Sequence, residues 1–149
     1  MADESNQLRV RLVTPERTLF EADATAVELP STTGDLEVLY GHAPLMAELG
    51  AGDVRIHTGA GIESTSPETA RYNVSWGFVE VLPARVTILA NDALKPEEID
   101  VSRAQEQLDR GQKMWNEAGD SEDAYSEALR IISEAEAKIA SAGETTKTH

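Results

Sequence analysis

Lys95-Pro96-Glu97-Glu98-Ile99-Asp100 divides the chain into two kinds of sequence. Before it, apolar residues alternate in short runs broken by Gly, Pro, Ser and Thr; after it, they return every three or four residues, with Ala the commonest. A period of two marks half-buried strands, and a period near 3.6 marks amphipathic helices. The reading is an all-β N-terminal sandwich over residues 1–95, a C-terminal α-helical antiparallel hairpin over 96–143 and a flexible tail over 144–149.

Working back from the junction, Val86-Thr87-Ile88-Leu89 follows a tight turn at Leu82-Pro83-Ala84-Arg85. Tyr72, Val74 and Trp76 share one face, but past Gly77 the polarity inverts: Glu80 falls on the Trp76 face, and Val79 and Val81 fall opposite. An interior Gly with inverted polarity predicts a bulge or a strand buried on both sides. Val54 and Ile56 alternate with Asp53, Arg55 and His57, and Gly59-Ala60-Gly61 offers a reversal. Leu8, Val10 and Leu12 alternate with Gln7, Arg9 and Arg11 in a one-face-in strand that ends at Pro15. Leu19-Phe20 opens a segment running toward Val27 and Leu29, and Pro30-Ser31-Thr32-Thr33-Gly34 reads as a turn. Seven or more short strands at this spacing predict an antiparallel sandwich or flattened barrel. With two Trp, three Tyr and two Phe in the whole chain, Val and Leu must fill most of its core.

Forward from the junction, Asp100 is placed to cap a helix, and Glu97 and Glu98 sit where the helix dipole favours acids. Val101, Ala104, Leu108, Gly111, Trp115 and Ala118 form one seam. Gly119-Asp120-Ser121 breaks it, and Tyr125, Ala128, Ile132, Ala135, Ile139 and Ala142 form a second. A short break between two amphipathic helices predicts an antiparallel pair. Burying a large apolar side chain contributes about 1.5–3 kcal/mol and Ala far less. Ordering the backbone costs about 1–2 kcal/mol per residue. The pair is therefore expected to lean on other surfaces for its stability.

Composition removes several classes of function. A formal charge of −14 argues against a generic nucleic-acid binder and against docking on anionic lipid. The absence of Cys removes disulfides and thiolate chemistry. No run approaches the roughly 18 apolar residues of a membrane span, so direct membrane insertion is not expected. The start Met1-Ala2-Asp3-Glu4-Ser5 is acidic and polar, unlike a signal peptide. No phosphate-binding glycine loop and no His-Glu-x-x-His occur, and no second His stands at ligand spacing from His42. The expectation is a protein without catalytic residues, metal or required cofactor.

Gly34-Asp35-Leu36-Glu37-Val38-Leu39-Tyr40-Gly41-His42-Ala43-Pro44-Leu45 and Trp76-Gly77-Phe78-Val79-Glu80-Val81 resemble signatures of one family. Val86-Thr87-Ile88-Leu89-Ala90, Val13-Thr14-Pro15-Glu16 and Glu98-Ile99-Asp100 fall in the same family's order. Together they resemble the epsilon subunits of the F-type ATP synthase over roughly residues 7 to 140. Glu37, Tyr40 and Trp76 depart from that pattern, which usually has Gly, Pro and often Gly there, and Ser64 to Thr69 lengthens a hairpin.

The resemblance implies a sandwich of about ten strands followed by a helical hairpin, in a non-catalytic subunit of the rotating central stalk. It implies the gamma subunit and the ring of membrane subunits as partners of the sandwich, with Asp35, Gly41 and His42 near those contacts. It also implies alpha and beta subunits as partners when the hairpin extends, restraining ATP hydrolysis. Arg103, Arg110, Lys113 and Arg130, with Lys138, are the cations the hairpin would offer there. Ile99-Asp100-Val101-Ser102-Arg103-Ala104 resembles a nucleotide motif of some bacterial members. Ile99, Asp100, Arg103, Arg110 and Arg130 would then hold ATP as a weak regulatory ligand, guanidiniums taking the polyphosphate. Against this, a cap explains Asp100, and pairing with Glu106 would occupy Arg103. The expected location is the cytoplasmic face of a bacterial plasma membrane, as a peripheral subunit. Two rivals stand beside it: a stand-alone β-sandwich binding module, and a soluble ATP sensor.

Overall fold

Leu8, Val10 and Leu12 are fully buried, as alternation requires, in the first of seven strands among the described residues. The computed structural model describes residues 6–58 and 69–147. Gly59-Ala60-Gly61 and most of the lengthened hairpin, 64–68, lie outside the described residues. The strands are β1 (Leu8–Val13), β2 (Thr18–Ala24), β3 (Ala26–Ser31), β4 (Gly34–Leu39), β5 (Leu45–His57), β6 (Thr69–Leu82) and β7 (Arg85–Leu94). They form one hydrogen-bonded sheet in the order β2-β1-β7-β6-β5-β3-β4. Residues from all seven strands meet in a single apolar core, from Leu8 and Val10 through Val38 and Leu49 to Val86 and Ile88. A sheet whose two ends share one core has folded over on itself, and that is the expected sandwich.

Two features differ from expectation. The pairing is not wholly antiparallel, because β1 runs parallel to β7, with Val10 opposite Val86 and Leu12 opposite Ile88. The strands are also fewer and longer than the ten implied, since β5 spans 13 residues and β6 spans 14. Each long strand changes its inward face partway. In β5 the buried residues pass from Leu49 to Val54 and Ile56; in β6 they pass from Tyr72 and Val74 to Val79 and Val81. The two changes lie beside each other, with Leu49 opposite Gly77 and Ala51 opposite Ser75. This is a sandwich corner, where a strand crosses from one layer to the other by a bend. At the bend Trp76 takes φ 61° and Gly77 takes φ 131°. The inverted polarity after Gly77 is thus a kink, and hydrogen bonding continues through it.

The turn foreseen at residues 30–34 is narrower than expected. Pro30 and Ser31 remain in β3, paired with Asp35 and Gly34, and only Thr32 and Thr33 turn. Pro30 is buried there.

Residues 94–149 form a second compact unit. A short 3-10 turn (Pro96–Glu98) precedes α1 (Val101–Glu117) and α2 (Glu122–Lys147). Glu98 accepts from the Lys95 N–H at 2.8 Å, and Asp100 caps α1 by accepting from the Arg103 N–H at 3.2 Å. Ser121 caps α2 by accepting from the Ala124 N–H at 3.2 Å. The helices pack antiparallel through Ala104 and Gly111 on one, and Ala128 and Ala135 on the other. A Cβ on Gly111 would lie 2.8 Å from Cγ1 of Ile132, so glycine permits this close approach. Near the turn, the Trp115 and Tyr125 rings meet edge to face with centroids 4.7 Å apart. Two residues of the predicted first seam are only partly covered: Val101 is 48% exposed, and Trp115, despite its contact with Tyr125, 43%. The tail expected from residue 144 is also shorter, since the α2 backbone continues to Lys147. A single Gly143 disfavours a helix by about 1 kcal/mol and does not end it.

Candidate functional site

β4 leads into a turn at residues 40–44, after which the chain enters β5 without pairing to β4. The two segments therefore diverge and leave a groove of about 440 Å³ between them. Leu36, Leu45, Met46 and Phe78 line it with Thr32, Thr33 and Glu48. Phe78 stands opposite Glu48 in the β5–β6 register. Met46 is 66% exposed and Phe78 52%, while Leu39 and Tyr40 add two more exposed apolar groups at the turn. Met46 and Phe78, two large exposed apolar side chains lining one groove, form a patch of the kind that marks a protein contact. Covering Met46 and Phe78 would contribute about 3 kcal/mol before association costs are met.

The turn itself is held by backbone. Gly41 donates its N–H to Pro83 O at 2.7 Å, which ties it to the β6–β7 turn, and His42 donates its N–H to Leu39 O at 3.2 Å. The His42 ring donates from Nδ1 to Ala43 O at 2.7 Å. His42 therefore shapes a turn, the ordinary role for such a residue. Asp35 is exposed near the other end of β4, four residues before Leu39, or about 13 Å along a strand. The structure does not bring Asp35 and His42 together. His57 has a closer partner than His42 does: its Nε2 lies 2.6 Å from Glu28 Oε2, across β3 and β5.

Sequence reasoning passed over Met46 and Phe78. The signal was present for Phe78, since it shares the outward phase of Glu80 after the kink. Met46 carried none, because the segment before Val54 showed no clear alternation.

In the helical unit, Ile99 is half-buried, and the Asp100 carboxylate is engaged as a cap. Arg103, Arg110, Lys113 and Arg130 are all exposed. Gln107 donates from Nε2 to Ile131 O at 3.3 Å, and Trp115 meets Tyr125. This register puts Arg110 at the height of Arg130, with Arg103 about 10 Å further along α1. Lys138 pairs with Glu134 at 3.2 Å within α2. Among the described residues, no three metal-ligating side chains converge, and no helix is long and apolar enough to cross a membrane.

Residues 7–96 match the family model described as ATP synthase, Delta/Epsilon chain, beta-sandwich domain. Over 108 residues the chain is 40% identical to the ATP synthase epsilon chain of Koribacter versatilis, covering 72% of this chain and 71% of that one. Over 135 residues it is 33% identical to the chloroplastic ATP synthase epsilon chain of Porphyra purpurea, covering 91% and 95%. Among solved structures, a chain of the Euglena gracilis mitochondrial ATP synthase (OSCP/F1/c-ring) superposes with a TM-score of 0.72 at 20% identity. That superposition covers 91% of this chain and 81% of the other, and it bears on fold alone.

Proposed function

This chain belongs to the ATP synthase delta/epsilon chain family, and we propose that its sheet unit grips the gamma shaft and rests on the membrane ring while its helices act as a movable restraint. It is a non-catalytic rotor-stalk subunit of an F-type ATP synthase, and its work is mechanical. A coupling subunit must be stiff, and it must be held firmly on both sides. Stiffness comes from one sheet folded around one core, with the layer-crossing strands β5 and β6 paired through their bends.

The observation that carries this reading is the exposed apolar groove beside the 40–44 turn. Its lining residues Met46 and Phe78 are the anchors a shaft helix would cover, and Gly41 and His42, in the backbone-tied turn that precedes Leu45, are assigned to the same partner surface. Asp35, which lies in sequence between the groove-lining Thr33 and Leu36, is assigned to the same partner surface. The chain works as a peripheral subunit of a membrane-bound complex, on the cytoplasmic face of a bacterial plasma membrane. Neither a stand-alone binding module nor a soluble sensor is favoured.

The test is co-purification of the gamma subunit with the tagged chain, unaltered and as Met46→Ser with Phe78→Ser. Both side chains are exposed, so the double variant should fold and melt like the parent. Gamma should be recovered with the parent and largely lost with the variant. Full recovery with the variant removes this groove from the gamma contact.

A second reading concerns nucleotide. Arg110 at the height of Arg130 supports a weak ATP site on the helical pair, with Arg103 further along the same helix. Extension of the helices toward the alpha and beta subunits would present these cations, with Lys113, to acidic surfaces.

A further inference from the structure

A second groove of about 440 Å³ lies wholly within the helical unit, between α1 and α2. Trp115 and Leu129 line it with Ile132, and Gln112 and Asn116 stand at its rim. Leu129 is 52% exposed and Trp115 43%, so this floor and wall are open along the pair. Val101, 48% exposed, continues the apolar line toward the start of α1.

The charges are sorted between the two flanks. Residues advance by about 100° around a helix. Measured from the mutually buried Gly111 and Ala128, the groove-lining residues fall on one half of each helix. Arg103, Arg110, Lys113, Arg130 and Lys138 all fall on the other half. Five carboxylates share that other half with them, so it is close to neutral. Over residues 101–143 the groove half carries Asp109, Glu122 and Glu136 and no cation. Glu122 and Glu136, at about 120° and 80° on α2, stand on the groove's own side, whereas Asp109 lies toward the back of α1.

We propose that this flank is a docking site for a basic amphipathic helix of a partner protein. Such a helix would lay its apolar stripe on Trp115, Leu129 and Ile132, completing a three-helix arrangement, and set Lys or Arg against Glu122 and Glu136. A second copy of the chain is a poor occupant, because it would bring carboxylates against carboxylates. An anionic lipid surface is opposed for the same reason. The flank differs in position and sign from the arginine-bearing flank assigned above to nucleotide and to acidic subunit surfaces.

The test uses the full chain and two synthetic amphipathic peptides about five helical turns long, one of Leu and Lys and one of Leu and Glu. Calorimetry should show saturable binding of the Leu/Lys peptide only. Leu129→Ser should weaken it about tenfold or more, from the apolar area lost. Glu136→Lys with Gln112→Lys should weaken it by a similar factor, and added salt should deepen that loss. Arg110→Ser, on the opposite flank, should leave affinity within about twofold. Every one of these sites is exposed, and far-UV circular dichroism checks that each variant keeps its helices. Equal binding of both peptides, or undiminished binding to the Leu129 and Glu136 variants, overturns the proposal. So does no binding at all, or sedimentation of the chain with phosphatidylglycerol vesicles that Leu129→Ser abolishes.

Discussion

The backbone carbonyl of Leu89 occupies the space that a Cβ on Gly77 would need. β6 and β7 come this close because β6 bends from one layer of the sandwich to the other at Trp76-Gly77, both residues at positive φ. Gly77→Ala meets two penalties at once, a left-handed backbone and a clash with main chain that no rotamer relieves. It should lower unfolding stability by at least about 3 kcal/mol, read as an earlier urea midpoint. A loss under about 1 kcal/mol would mean that the strand can move aside, and the corner would not be rigid.

Gly111 is a close-approach position of a different kind. Its space is filled by Cγ1 of Ile132 and Cγ2 of Ile131, at 2.8 and 3.1 Å from a Cβ placed there. Gly111→Leu improves helix propensity by up to about 1 kcal/mol but must push α2 away, at about 1–3 kcal/mol or more. The helices should lose mutual support while the sheet stays intact. Hydrogen exchange at the Ala128 and Ala135 amides should accelerate, and that at Val10 and Ile88 should not. Unchanged protection at Ala128 would show that the helices are not held by this contact.

Removal of the chain after Asp100 deletes both helices and leaves the sheet unit, whose core, among the described residues, is drawn from β1 to β7. In the assembled complex this truncation should raise ATP hydrolysis severalfold if the pair restrains it. Equal hydrolysis rates before and after truncation would leave the helices without that role.

Nucleotide binding is checked by titrating ATP with Mg²⁺ into the full chain. Binding heat should be weak and should vanish in Arg103→Ala. Asp100→Asn is the useful companion, because Asn caps helices about as well as Asp while removing the charge. Asp100→Ala should instead cost about 1 kcal/mol through the lost cap, whatever its effect on ATP. Absence of heat with the parent chain removes ATP from the account.

The exposed ion pairs of the outer sheet should matter little. Arg9 lies 3.4 Å from Glu21 and 3.3 Å from Asp23, with its side chain 49% exposed. Arg9→Gln should change the urea midpoint by an amount worth less than about 1 kcal/mol. A larger loss would mark this edge as a cooperative network.

Much of the architecture was legible because it rests on local pattern. Alternation at Leu8, Val10 and Leu12 needs only a side-chain period of two, and Asp100 ahead of an apolar repeat needs only an open helix end. The inversion after Gly77 was visible as pattern, though its form was not. Whether a strand kinks and continues or breaks depends on what lies across from it, here Leu49 and Ala51. The sites were less legible. Asp35 and His42 stand close in sequence, yet a six-residue strand separates their ends. Val101 and Trp115 fit a helical seam by spacing but lie on its flank. A heptad-like pattern fixes a stripe about 100° wide, and a partner helix covers only its centre.

By itself, the sequence determined the division into a strand part and a helical part, the inward residues of the regular strands, the cap that starts α1 and the membership hinted at by five short segments. These depend on interactions within a few residues of each other, where the chain carries its own instructions. Tertiary structure alone decided the parallel pairing of β1 with β7, the bend shared by β5 and β6, and the two open grooves. Each of those depends on which distant segment arrives alongside, and on the apolar surface left over once the best-matched neighbours have packed.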